Sequence, residues 1–468
     1  MKPAQTRHER EAALEEIANE LSISPDAIDL RFRYASLLAQ MGRAEEAKAA
    51  YLEVLARDPA HFGALNDLGN LLYATSYTQA ASTLYTEAIK QQPTNPKGYV
   101  NLANLLMETQ QPERAREHFE AALRLAPDLP EANRGLAYLL TESRQEEEAE
   151  TYRQKAFQNQ PLLVMPYHGD DPPIKLLVLV SASGGVIPMR HHFDPSIFLV
   201  SVLFVEFFQE EMTLPPHHIV FNTIGDADLC EPALHTAAQI LTKTNAPVIN
   251  APNKVLRTGR MGNAETLGRL PHVVTPKMTL FSRERWQDED FEFPLLLRAP
   301  GYHTGRFFAR VESAHELADT IASMPGQEVL AIQYLDTRSR DGKIRKYRVM
   351  MIGGKLYPLH AAISHEWKIH YFTAEMADHP EHRAEDAAFL DDMASVLGPN
   401  ALHALEEICR TLGLDYGGID FSLNADGDVI LFEANASMVV YAPEADPRWD
   451  YRRPAVQRIL DAIRALLT

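Results

Sequence analysis

The stretch DFSLNADGDVILFEANAS, residues Asp420–Ser437, decides how the C-terminal part of the chain reads. Asp-Gly within Asn424–Gly427 is a strong hairpin signal, so the strand entering it folds back beside the strand leaving it. The leaving strand is apolar through VILF, then ends in Glu433, with Asn435 two residues on. Residues two apart in a strand share a face, so Glu433 and Asn435 point the same way. Hairpin pairing brings Asp420 near both. Three oxygen donors at the mouth of a buried hairpin suit a hard divalent cation, above all Mg²⁺. The plainer reading is an edge strand with solvated polar ends. Against it, the apolar run wants burial on both faces, and an unpaired glutamate there is costly.

The rest of the composition narrows the frame. A chain of 468 residues holds two or three domains. Its net charge of -19 argues against a nucleic-acid partner. Two cysteines, Cys230 and Cys409, give no disulfide framework and fit a reducing cytoplasm. The start, MKPAQTRHEREAALEE, is too charged for a signal peptide. The apolar stretch SIFLVSVLFVEFF, residues 196–208, is too short to span a bilayer and contains Glu206. A soluble cytoplasmic protein without a membrane partner is expected, and a homo-oligomer is left open.

The first third repeats. Prolines fall at 25, 59, 93, 127 and 161, and alanines at 13, 47, 81, 115 and 149, each twelve residues before a proline. Tyr51, Tyr85 and Phe119 hold the slot eight before it. Apolar residues at three- and four-residue intervals make the segments between prolines helical. Small alanines admit close helix approach, aromatics fill the gap, and each proline ends a second helix. Period and positions together resemble the tetratricopeptide repeat (TPR), with four full repeats over 28–161 and a capping helix over 4–24. The first repeat departs from the pattern, with Arg31 and Tyr34 where the family favours Trp and Leu. Such solenoids present a concave groove, in which Asn70 and Asn104 are expected, with Asn66 and Asn101 close by. An amide donates and accepts, which suits an extended peptide or protein partner; the alternative is asparagines bonded to water.

PYHGDDPPIK marks a linker, placed at residues 162–174. Strands and helices then alternate over 175–252, an open α/β unit with parallel strands. The loop SASGG (181–185) follows its first strand, and reads as an ordinary glycine turn or a ligand loop; His191 and His192 beyond it are loop residues or substrate contacts.

Over roughly 175–468, with its specific features from 253 onward, the chain resembles the ATP-grasp superfamily, in the glutathione-synthetase-like (RimK-type) branch of carboxylate–amine ligases. The features are Arg257 and Arg260, FPLLLRAPGYHTGRFFARV, AIQYLD, IRKYRVMMIGGKLYPLHAAIS and the acidic hairpin. The implied fold is an α-helical solenoid followed by an α/β ATP-grasp fold, made of a pre-ATP-grasp domain and two α+β subdomains. The implied cofactors are ATP and Mg²⁺, with Mn²⁺ as the alternative ion, and the implied metal ligands are Asp420, Glu433 and Asn435. Arg298 and Arg260 stand where relatives place phosphate-binding lysines. A guanidinium keeps the charge and grips two phosphate oxygens, although either arginine also reads as a salt-bridge partner. Gly301 and Gly305 bound the loop that closes over phosphates. Gln333, Tyr334 and Leu335 resemble the hinge that reads adenine, with Asp336 placed for the ribose. Arg348 resembles the arginine that steadies the transferred phosphoryl group. Lys368 and His370 share a face if their segment is extended, and are assigned to the phosphoryl group or the acceptor.

The implied reaction phosphorylates a substrate carboxylate and lets an amine displace phosphate. The resemblance also admits a kinase of the same fold. A third reading is a repeat scaffold with an inactive nucleotide-binding domain.

Overall fold

A computed structural model describes the chain except for residues 1–6, 76, 144, 159, 190–191, 303–304 and 370–373, and the side chains of residues 7, 8 and 288. It divides into two compact units, one comprising 1–178, 182–184 and 193–218, the other 179–181, 185–192 and 219–468.

The first unit opens with α1 (Arg7–Ile23) and continues as four helical pairs. These are α2 (Ile28–Gln40) with α3 (Ala44–Arg57), α4 (Phe62–Ala74) with α5 (Thr78–Gln91), α6 (Pro96–Glu108) with α7 (Pro112–Leu125), and α8 (Pro130–Glu142) with α9 (Glu146–Phe157). The 34-residue register explains the packing. Ala47, Ala81, Ala115 and Ala149 are fully buried, and Tyr51, Tyr85 and Phe119 are buried beside them. Burial of each ring contributes roughly 1.5–3 kcal/mol. Helices α3, α5 and α7 end two residues before Pro59, Pro93 and Pro127, because a proline supplies no helical N–H and clashes with the preceding turn. Gly69 is forced by the aromatic slot: a Cβ there would lie 2.5 Å from the Tyr85 ring.

Beyond the repeats the unit adds β1 (Leu162–Val164), the start of β2 (Ile174–Val180) and β3 (Phe198–Phe204). β1 pairs antiparallel with β3. This corrects the sequence reading at one point: the segment read as a linker begins as a strand. Phe157 at the end of α9 stacks on Phe204 at 4.0 Å between ring centroids, which closes the apolar end of the last repeat.

In the second unit, β4 (Ile219–Asn222) and β5 (Val248–Ile249) pair parallel around α10 (Glu231–Leu241). α11 (Pro252–Val255) and α12 (Arg260–Leu267) lead to β6 (Val273–Val274). A four-stranded antiparallel sheet follows, ordered β7 (Met278–Ser282), β10 (Glu328–Gln333), β8 (Leu295–Arg298), β9 (Phe308–Val311), with α13 (Ala314–Ser323) packed on it. The last sheet runs β12 (Lys355–Ser364), β11 (Ile344–Ile352), β13 (Tyr416–Leu423), β14 (Val429–Asn435), β6. α14 (Pro380–Asp391), α15 (Met393–Leu412) and α16 (Arg453–Leu467) pack on this sheet. The expected hairpin is β13–β14, with Gly427 at φ 79° in its turn. Asn250, itself at φ 55°, fixes the entry to β13: its side chain donates to the Tyr416 carbonyl and accepts from the Asp415 and Tyr416 amides. Among the described residues, no helix is long and apolar enough to cross a membrane.

Candidate functional site

Strand register builds the site. Asp420 is the cross-strand partner of Glu433 on one side and of Arg348 on the other, and Arg348 is the partner of His360. Directly opposed residues share a face, so one row across four strands reads His360, Arg348, Asp420, Glu433. β-Bulges fall next to Arg348 and Asp420 in this row. Such irregularities re-aim side chains.

The row is held by ion pairs. Arg348 donates through Nε and Nη2 to the two Asp420 oxygens at 2.5 and 2.7 Å. Lys346, on the same face of β11, places Nζ 2.7 Å from Asp420 Oδ2. Burial alone would raise the Asp420 carboxyl, but Arg348 and Lys346 hold it well below the usual carboxylate range. Burial likewise opposes the charge on Arg348, and Asp420 more than restores it. Burial and the neighbouring Arg348 push His360 far down, so its ring is neutral. Glu433 accepts from Arg260 Nη2 at 2.9 Å and from Asn435 Nδ2 at 2.7 Å. Burial raises it as well, yet Arg260 leaves it below its ordinary value.

Arg260, Lys346, Arg348, Asp420 and Glu433 line a cleft of ≈ 280 Å³ within the second unit. Of the residues singled out in the sequence, Arg260, Arg298, Gly305, Gln333, Tyr334, Leu335, Arg348, Lys368, Asp420 and Glu433 all line it. Its other walls are apolar, from Met278, Leu296, Ile332, Trp367 and Phe432. Gly301 and Asn435 line an adjoining cavity of ≈ 710 Å³ that shares Arg260, Arg298 and Glu433. Asp336 lines neither: its carboxylate pairs with Arg338 at 3.3 Å and is exposed. His370 and His191 lie outside the described residues.

Arg298 ends β8 and donates to the Tyr302 carbonyl at 2.5 Å. Burial, and then Arg260 nearby, push it down to about 10. Among the described residues it has no carboxylate within salt-bridge distance, so its charge is available to an anion. Arg260 begins α12, where its own amide is capped by Asp228 at 3.0 Å. Lys368 lies in a bend, not an extended segment, and donates to the Gly305 and Phe308 carbonyls at 2.6 and 3.2 Å. It therefore ties down the backbone at Gly305 and Phe308. The Gln333 amide is committed to the Lys277 carbonyl at 2.8 Å, and the Tyr334 ring packs under the Arg310 guanidinium at 4.0 Å.

Sequence reading missed Lys346. Its signal was its place two residues before Arg348, on one face of a strand.

The repeats carry a second candidate surface. Asn70 and Asn104 are both exposed. Asn70, however, accepts from the buried Tyr85 hydroxyl at 2.8 Å, so part of its amide is spent on the fold. Asn101 donates to Asn66 at 3.0 Å, and Asn66 is buried; these two join α6 to α4. Asn70 lines a pocket together with Pro166, Tyr167 and His168 of the same unit. Arg10 of α1 anchors that segment through the Tyr167 carbonyl and the His168 ring, at 3.3 and 3.2 Å.

No curated protein matches the chain. Solved structures with some likeness include MamA from Desulfovibrio magneticus RS-1, at 18% identity over 33% of this chain and 89% of that one, TM-score 0.30. Another is pilF of Pseudomonas aeruginosa, at 26% identity over 32% and 69%, TM-score 0.31. A third is YrrB, described as a TPR protein with an unusual peptide-binding site, at 20% identity over 32% and 76%, TM-score 0.29. Two family models, both described as tetratricopeptide repeat, match residues 32–96 and 96–129. These matches and the buried alanine–aromatic register identify the helical pairs of the first unit as tetratricopeptide repeats.

Proposed function

We propose that the second unit is an ATP-dependent carboxylate–amine ligase of the ATP-grasp type, and that the repeats recruit a peptide or protein. One observation carries the first part. A single cleft is lined by the cations Arg260, Arg298, Lys346, Arg348 and Lys368 and also by apolar side chains and residues 333–335. That combination suits a nucleotide, with a polyanionic tail and a flat apolar base.

The donor set fits a hard cation. Asp420 and Glu433 are cross-strand partners, and both carboxylates carry their charge, each already paired with cationic side chains. Asn435 joins them through Glu433. These three residues would hold Mg²⁺, which when bound neutralises phosphate charge and polarises the phosphoryl group. Within that reading the chain's own groups have separate tasks. Arg298 and Arg260 bind phosphate oxygens, the apolar wall excludes water, and Lys368 holds the 305–308 backbone in place over the cleft. Arg348 steadies the phosphoryl group as it reaches the substrate carboxylate, and an amine then displaces phosphate from the acyl phosphate. Catalysis rests on positioning and charge complementarity, without a protein nucleophile.

TPR arrays commonly present peptide-binding grooves, and exposed Asn104 supplies the amide chemistry for one. The test is ADP release screened against pooled carboxylic acids and amines, then deconvoluted. ADP formation that needs both an acid and an amine supports the ligase. Phosphate retained on one acceptor indicates the kinase reading, and the absence of ADP from every pool indicates an inactive nucleotide domain.

A further inference from the structure

At the start of α14 lies a cluster that the cleft does not use. His379, Glu381 and His382 each offer a ligand atom, and these atoms lie within 4.8 Å of one another. Among the described residues no other group of three histidine, cysteine or acidic side chains meets that condition.

Two further observations point to a ligand. His382 is fully buried, its Nδ1 lies 3.1 Å from the Glu375 carbonyl oxygen, and its Nε2 has no hydrogen-bond partner among the described residues. A carbonyl only accepts, so Nδ1 carries the proton and Nε2 keeps its lone pair. A backbone carbonyl holding the far ring N–H is the arrangement that orients metal-binding imidazoles. Leaving a buried imidazole nitrogen without a partner is otherwise costly.

The second observation concerns His379. It occupies the N-cap position of α14, yet its side chain makes no capping hydrogen bond. Its Nδ1 instead meets Glu381 Oε1 at 2.8 Å, and its ring stacks on that of His382 at 4.6 Å. Both His379 and Glu381 are solvent-accessible, so their side chains can turn towards a common ion while His382 stays fixed.

We propose that His379, Glu381 and His382 form a site for a transition-metal dication of the Zn²⁺ class. Two imidazoles and one carboxylate are borderline ligands that suit Zn²⁺ or Co²⁺ and not Mg²⁺, with a fourth position open to water. The site is separate in chemistry from the acidic hairpin and does not depend on the ligase reading. It clips the 375–379 segment to the first turn of α14. Arg383 already holds the other side of that segment, through the Met376 and Ala377 carbonyls at 2.8 and 2.7 Å.

The test uses untagged full-length protein, stripped with chelator and titrated with ZnCl₂ in excess Mg²⁺, and with Co²⁺ for its visible d–d bands. One saturable equivalent of Zn²⁺ is expected. His379→Ala, a change at an accessible residue, should weaken binding by tenfold or more and abolish the Co²⁺ bands, while its metal-free unfolding midpoint matches that of wild type. Glu433→Gln should bind Zn²⁺ like wild type. Absence of saturable binding, or wild-type affinity in His379→Ala, overturns the proposal. Loss of binding in Glu433→Gln alone also overturns it, by moving the ion to the cleft.

Discussion

Arg348 and Asp420 lie opposite each other on β11 and β13, and their side chains close a two-point ion pair over a carboxylate that is almost wholly buried. Such a pair is set by sheet register over a separation of 72 residues. Removing one partner strands the other's charge, which costs about 3–5 kcal/mol. Asp420→Asn should therefore lower stability markedly, as read from urea midpoints. Arg348→Met and Lys346→Met combined with Asp420→Leu, which leaves no charge stranded, should recover much of the loss. A triple variant no more stable than Asp420→Asn would mean that stranded charge is not the source of the loss.

The same pair has a pH signature. The Asp420 carboxyl is depressed in the folded chain, so its stabilisation is present above the unfolded value, roughly pH 3.9, and is lost as pH falls through the lower folded value. The stability gap between wild type and Asp420→Asn should stay flat from about pH 5 to 8, then shrink in more acidic solution. Denaturant titrations at a series of pH values measure it. A gap that narrows near neutrality would contradict the assignment.

For turnover, the proposed ligase makes Glu433→Gln the direct probe. The loss expected is about 10²-fold or more in ADP release, with the fold intact by circular dichroism. Near-normal ADP release would remove Glu433 from the metal set.

Arg298 tests the phosphate end. Arg298→Lys keeps a cation at the end of β8 and should retain measurable ATP binding. Arg298→Ala should lose about 1.5–3 kcal/mol of it, the worth of a charged hydrogen bond. Equal ATP affinity in the two variants by calorimetry would place the phosphates elsewhere.

In the repeats, Gly69→Ala should cost about 1–3 kcal/mol, because the new Cβ meets the Tyr85 ring at 2.5 Å. Asn70→Ala should cost about 1 kcal/mol by leaving the buried Tyr85 hydroxyl unpaired, whereas Asn104→Ala should leave the melting temperature unchanged. Asn104→Ala is therefore the cleaner variant for measuring peptide affinity.

Local chemistry was legible in the sequence; long-range register was not. The hairpin of Asp420 and Glu433 could be read because an Asp-Gly turn fixes pairing over a few residues. The repeat helices could be read because one spacing recurs. The partnership of Arg348 with Asp420, and of Lys346 with the same carboxylate, depends on which strands lie side by side, and no short-range pattern encodes that. β1 was missed for a different reason. It has three residues between Pro161 and Pro166, and its only support is pairing with β3, some 40 positions on. The charge of Lys368 is legible in the sequence, whereas the carbonyls of Gly305 and Phe308 that receive it are not.

The amide-to-amide bond from Asn101 to Asn66 has a consequence for how the solenoid comes apart. In a linear array each repeat is stabilised by itself and by its junctions, so partial unfolding starts where a junction is weakest. A polar tie between α4 and α6 strengthens the middle junction specifically. Heat or force applied to the array should then separate its ends before its centre, leaving the second and third repeats as the last cooperative block. Replacing Asn101 with Ala would divide that block, and amide exchange in α4 and α6 would no longer slow together.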